Sequence, residues 1–254
     1  MSHIREVGNP HKPAIIFLHG SPLSGTMWKP QFEELMDEFY CIAPDLPGHG
    51  GSASVPFVDS KETAEQIAKI IHEKAPTKRA HVVGLSFGGV IAQAMMVHTP
   101  ATVDKVVLSG TSVKLSPFLM KIQNLNKPLF KLLKPQQLAK LTAMQFGIPN
   151  QFFEGFKEDF QHFSTATFTD MMNAYGEIEM PVNTKSSTLV VVGEKETFVA
   201  KNMARKLVQM IPNSVGRMAP AAGHVWNLQY PDLFSKMILS FFKNESLPEE
   251  LIPL

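Results

Sequence analysis

The chain has 254 residues, of which 44% are hydrophobic and 19% charged, with a formal net charge of +1. That length suits one large α/β domain or two small ones, and the even charge balance gives no reason to expect a nucleic-acid partner. The single cysteine, Cys41, lies in the apolar run "FYCIAPD", which excludes an intrachain disulfide and reads as a core thiol.

The N-terminal "MSHIREVGNPHKP" has no apolar signal core, and no run approaches the length of a membrane span. A cytoplasmic protein without stable membrane insertion is expected. Short β-branched runs then alternate with amphipathic stretches. "AIIFLH" (14–19), "YCIA" (40–43), "AHVVGLS" (80–86), "KVVLSG" (105–110), "STLVVVG" (187–193) and the weaker "VGRMAP" (215–220) read as strands. Most are continuously apolar, as strands buried on both faces are. "QFEELMDEF", "KETAEQIAKIIHEK", "VIAQAMMVH", "AKNMARKLVQMI" and "PDLFSKMILSFF" fit helical spacing between and after them. The alternation predicts an α/β fold with a mostly parallel sheet covered by helices.

Residues 113–186 break the rhythm, with no convincing strand. Nine of the 18 phenylalanines lie there: Phe118, Phe130, Phe146, Phe152, Phe153, Phe156, Phe160, Phe163 and Phe168. The expected organisation is a core of 1–112 and 187–254 with a helical lid inserted over 113–186. The phenylalanines, with Met120, Met144, Met171 and Met172, line an apolar pocket or form the lid's own core. Lys121, Lys127, Lys131, Lys134 and Lys140 read as a solvated face, and Pro128 and Pro135 interrupt any long helix there.

Between a strand and a helix stands Gly84-Leu85-Ser86-Phe87-Gly88, a G-x-S-x-G pattern. A sharp strand-to-helix turn would lift the Ser86 hydroxyl above the sheet and aim the helix N-terminus at it. A serine needs a base, and His224 is best placed among nine histidines. It follows the small residues Ala221, Ala222 and Gly223 on a loop between the last strand and the last helix. His72 and His98 read as solvated and His81 as structural, while His162 could touch substrate. No Cys/His cluster has metal-ligand spacing, so no metal or cofactor is expected.

These residues resemble the α/β-hydrolase superfamily, specifically its lid-bearing serine esterase-like branch, over nearly the whole chain. "FLHGSP" (17–22) is similar to the family's oxyanion loop. "APDLPGHGGS" (43–52) resembles its D-x-P-G-x-G-x-S loop with an extra glycine at Gly51. "GLSFGG" matches the nucleophile elbow, and "AAGH" with "YPDLF" the histidine loop and final helix. The resemblance implies an oxyanion hole formed by the backbone N–H groups of Ser21 and Phe87, with Pro22 restricting Ser21. Asp45 and Gly48 would brace their loop, with His49 in the same loop an unused candidate relay and His19 a structural prop.

The family pattern of strand, glycine, two residues and acid puts the orienting carboxylate at Glu196, where aspartate is commoner. Glu194 would be a solvated or ion-paired neighbour. Two further departures are a shortened leading region, with "IREV" at most one edge strand, and a serine nucleophile, which argues against the epoxide hydrolase and haloalkane dehalogenase branches. The implied function is hydrolysis of a carboxylic ester, thioester or lactone of a small to medium apolar compound through an acyl-enzyme. Carbon–carbon bond hydrolysis, acyl transfer and a triad-bearing ligand receptor remain alternatives. The oligomeric state is left open.

Overall fold

A computed structural model describes residue 1 and residues 3–124 and 135–254. Lys127, Pro128, Phe130, Lys131 and Lys134 lie outside the described residues. Eight strands form one sheet in the order β1-β3-β2-β4-β5-β6-β7-β8. They are β1 (Ile4–Val7), β2 (Ala14–Leu18), β3 (Tyr40–Pro44), β4 (Ala80–Leu85), β5 (Val103–Ser109), β6 (Thr188–Gly193), β7 (Ser214–Ala219) and β8 (Ile252–Pro253). β2 to β7 pair in parallel, while β1 and β8 close the edges antiparallel to β3 and β7. "IREV" is thus the single leading edge strand.

The central strands are apolar in unbroken runs because both faces are covered. Ile15, Ile16, Phe17 and Leu18 of β2 are all 0% exposed, each worth about 1.5–3 kcal/mol of burial. Ile16 and Leu18 face one apolar layer with α2 (Ser60–Lys74) and α3 (Phe87–His98). Ile15 and Phe17 face the other, with α1 (Lys29–Leu35) and the C-terminal helix Pro231–Lys243. α1 ends at Leu35, earlier than its hydrophobic pattern suggests, and residues 36–38 form a turn into β3.

Between β5 and β6 the chain runs through α4 (Pro117–Asn124), α5 (Pro135–Phe146), α6 (Phe153–Gln161) and α7 (Thr165–Glu177), with no strand among the described residues. Ser164 caps α7 by accepting the Thr167 N–H at 3.1 Å. α8 (Phe198–Met210), α9 (Trp226–Gln229) and α10 (Pro231–Lys243) complete the chain. No helix among the described residues is long and apolar enough to cross a membrane.

The aromatic residues between β5 and β6 divide. Phe156, Phe160 and Phe168 are buried, and Phe160 stacks between Phe156 and Phe163 with both centroid distances at 5.7 Å. Packing thus accounts for much of the phenylalanine excess, whereas Phe118 and Met144 are more than 70% exposed. Lys121 and Lys140 are exposed, as a solvated face requires.

Candidate active site

Ser86, Glu196, His224 and the loop from His19 to Ser21 all follow the carboxyl ends of parallel strands, the edge where open α/β sheets place their sites. Ser86 has φ +54° and ψ −115°, a backbone state that non-glycine residues rarely adopt. The turn is tight because of its glycines. A Cβ on Gly88 would sit 2.1 Å from the Leu18 carbonyl oxygen, and one on Gly84 2.6 Å from that of Gly88. Phe87 begins α3, so its N–H has no intrahelical partner and points with the helix's positive end toward the serine.

The imidazole of His224 accompanies this turn through one shared segment. Ser86 N–H donates to the Ser109 carbonyl at 2.9 Å, and the next residue, Gly110, lies beside the His224 ring. Gly110 has φ +56°, and a Cβ there would meet His224 Nδ1 at 3.0 Å and Glu196 Oε1 at 3.2 Å. Trp226 Nε1–H donates to Ser109 Oγ at 2.9 Å, anchoring the histidine loop to the same strand end.

Glu196 Oε2 lies 2.8 Å from His224 Nδ1, and its Oε1 accepts the Gly193 N–H at 3.2 Å. The carboxylate can only accept, so Nδ1 carries the proton and Nε2 bears the lone pair. Thr197, the N-cap of α8, follows immediately and fixes where Glu196 leaves the loop. Glu194 is exposed, in line with the solvated residue expected, but it also makes a local bond. Its carboxylate accepts the N–H of Ala221 at 2.8 Å and braces the positive-φ turn (φ +55°) before His224.

The loop after β2 packs on Ser86: a Cβ on Gly20 would come 3.2 Å from Ser86 Cβ. His19 is a prop, its Nε2 accepting the Leu46 N–H at 2.8 Å; burial, then the neighbouring His49, lowers its pKa to about 3. His49 is also neutral, burial having lowered its pKa to about 4. Its Nδ1–H must donate to the Pro47 carbonyl at 2.9 Å, so Nε2 accepts from the Ser21 hydroxyl at 2.8 Å. His49 therefore holds Ser21, a role the sequence pattern did not disclose. Asp45 accepts from Gly25 and Gly51 at 2.8 and 2.7 Å and pairs with Arg5. Burial alone would raise its pKa, but the Gly25 bond, with His19, Arg5 and the Gly51 bond, holds it low. Gly48 N–H bonds the Val55 carbonyl at 2.9 Å. The Ser21–Pro22 peptide bond is cis.

Three ties come from the intervening helices, none of them foreseen. Tyr175 of α7 places its hydroxyl 3.4 Å from Ser86 Oγ. Asp159 of α6 accepts the Ser24 N–H at 2.9 Å; burial, with the Asp45 charge adding to it, pushes its pKa up to about 6. Gln229 accepts the Gly223 N–H at 2.7 Å and donates to the Gly147 carbonyl at 2.8 Å, joining the histidine loop to the end of α5. The Phe146 ring lies 5.0 Å from that of His224. A cavity of about 600 Å³ opens there, lined by Met144, Phe146, Lys195, Gln229, Glu196 and His224 among others. Its walls are mixed, with Phe146 and Met144 beside Lys195, Glu196 and Gln229.

The other histidines stand apart. His81 stacks on Phe242 at 4.2 Å, His98 faces Glu179 at 3.2 Å, and His72 and His162 are exposed. Among the described residues no group of His, Cys, Asp and Glu is arranged to hold a metal ion.

Residues 15–237 match the sequence profile of the alpha/beta hydrolase family. An AB hydrolase superfamily protein of Gibberella zeae is 26% identical over 96% of this chain and 86% of its own. A 2-hydroxy-6-oxononadienedioate/2-hydroxy-6-oxononatrienedioate hydrolase of Burkholderia vietnamiensis is 26% identical over 95% and 90%. Among solved structures, a thermophilic esterase of Thermogutta terrifontis superposes with a TM-score of 0.81, at 22% identity, covering 95% of this chain and 93% of that one. At that identity the superposition speaks for the fold alone. With the profile spanning most of its length, the chain belongs to the alpha/beta hydrolase family, and hydrolysis is the activity that membership supports.

Proposed function

We propose that the protein is a serine hydrolase that cleaves a carboxylic ester through an acyl-enzyme, with Ser86 as nucleophile, His224 as base and Glu196 as the orienting acid. The observation that carries this reading is one strand end, Ser109–Gly110. It accepts the Ser86 N–H on one side and lies against the Glu196–His224 pair on the other. His224 Nε2 takes the Ser86 proton as Oγ attacks the carbonyl carbon, and Glu196 stabilises the imidazolium that forms. The N–H groups of Ser21 and Phe87 receive the oxyanion; losing one such donor costs on the order of 3 kcal/mol. Water, activated by the same histidine, then releases the acid.

In this reading residues 113–186 form a lid, and the phenyl ring of Phe146 beside His224 supports an apolar substrate of small to medium size. The residues supply nucleophile, base, acid and oxyanion donors without a cofactor. Turnover of a p-nitrophenyl ester series from acetate to octanoate tests the proposal. The wild type is expected to hydrolyse the short members and Ser86→Ala none. Equal turnover by both proteins would sink the assignment. A second reading, carbon–carbon bond hydrolysis with the same residues, draws on the name of the Burkholderia relative; turnover of a vinylogous diketone but no ester would favour it.

A further inference from the structure

Tyr175 is not part of the hydrolytic reading above, yet its phenol lies 3.4 Å from the nucleophile's Oγ. Its place is well determined. The Tyr175 carbonyl accepts the Leu115 N–H at 3.0 Å, and its ring centroid is 6.3 Å from that of Phe87. Burial, with the Glu196 charge adding to it, pushes the phenol's pKa up to about 12, so the hydroxyl keeps its proton at neutral pH and serves as a donor.

In the resting protein that hydroxyl pairs with the Ser86 hydroxyl, and either of the two can donate. Once Oγ has bonded to a carbonyl carbon it becomes an ester-type oxygen and a poor acceptor. A donor left unpaired in a dry site is costly, so the phenol must turn to an atom of the substrate. The reacting carbon carries two candidate acceptors. Its carbonyl oxygen is claimed by the N–H groups of Ser21 and Phe87, which leaves the bridging oxygen.

We infer that Tyr175 donates a hydrogen bond to the bridging oxygen of an alkyl oxygen ester or lactone as its bond to the acyl carbon breaks. Tyr175 is then a catalytic residue, supplied by the helices between β5 and β6, and it selects oxygen esters over thioesters. The inference rests on the Ser86 hydrolase reading. In the first half-reaction the Oγ–C bond forms, the Ser86 proton passes to His224 Nε2 and the carbonyl pair moves onto its oxygen. On collapse that pair returns, the C–O bond breaks, and its electrons go to the bridging oxygen. That oxygen takes the proton from His224 and departs as an alcohol. Tyr175 keeps its own proton throughout and stabilises only the charge that builds on the departing oxygen. The benefit is greatest for a basic alkoxide and small for a p-nitrophenolate or for sulfur, a weak acceptor.

The test is Tyr175→Phe, which keeps the ring and the backbone bond to Leu115, assayed on ethyl butyrate, S-ethyl thiobutyrate and p-nitrophenyl butyrate. Thermal unfolding of the variant monitors its fold. With ethyl butyrate kcat/KM is expected to fall about tenfold, and with the other two to change by less than about twofold. A uniform loss on all three substrates, or no loss on ethyl butyrate, overturns the inference while leaving the hydrolase intact. If the wild type cleaves none of the three, the hydrolase reading itself falls, and the role of Tyr175 with it.

Discussion

Ser86, Glu196 and His224 stand on turns that continue the parallel strands β4, β6 and β7, whereas Tyr175, Asp159 and Phe146 reach the same place from helices that interrupt the sheet. The first group is held by backbone geometry with little slack: positive φ at Ser86 and Gly110, glycines that admit no Cβ at positions 84 and 88, and a carboxylate bonded through both oxygens. The second group is held by a few side-chain contacts: one hydroxyl pair at 3.4 Å for Tyr175, and for Asp159 the Ser24 N–H at 2.9 Å and the Thr26 hydroxyl at 3.4 Å. Chemistry needing fixed angles is built on the sheet. The helices opposite touch these turns through side-chain groups that can part without disturbing the strands.

Substitutions can break this contrast at several strengths. The largest effect is expected on the sheet side. Glu196→Gln should lower kcat by about 10³–10⁴-fold, because an amide favours the wrong imidazole tautomer. Glu194→Gln keeps an oxygen for the Ala221 N–H, so steady-state kinetics should show a loss of no more than about threefold. The reverse order would move the acid to Glu194. Gln229→Ala removes the tie between the histidine loop and Gly147. Its kcat/KM should fall about three- to tenfold with a smaller change in melting temperature, and an unchanged rate would show that His224 needs no help from α5.

The smallest effect separates the two sides by pH. Asp159 titrates near 6 in the folded protein against 3.8 as a free side chain, so folding favours its protonated form. Its contribution is fully present below pH 4 and is lost as pH rises through 6. Asp159→Asn keeps an oxygen for the Ser24 N–H without the charge. At pH 8 it should be more stable than the wild type by about 1–3 kcal/mol. Thermal unfolding should show the gain shrinking to nothing near pH 4. A destabilised variant at pH 8 would mean that the charged carboxylate holds the latch.

The same contrast explains what the sequence disclosed. β2, β4, β5 and β6 were legible because strands buried on both faces must be apolar throughout, and the elbow because its glycines leave no room for side chains. Glu196 and His224 followed from the order of motifs along those strands. Tyr175 and Asp159 were not legible: each lies on a helix whose packing against the core is set by tertiary contacts more than 85 residues away in the chain. Phenylalanine content was an equivocal signal there, since a stacked helix core and a substrate wall call for the same residues. His49 was visible in its loop, but only the folded loop brings its Nε2 to Ser21.

The central claim is that Ser86 is the activated nucleophile of this strand edge. Intact-mass analysis after treatment with a fluorophosphonate tests it most directly, with the wild type compared with Ser86→Ala and His224→Ala. The account predicts one adduct on the wild type, mapped to Ser86, and none on either variant in the same time. An adduct that persists on Ser86→Ala, or a wild type that stays unmodified, would contradict it.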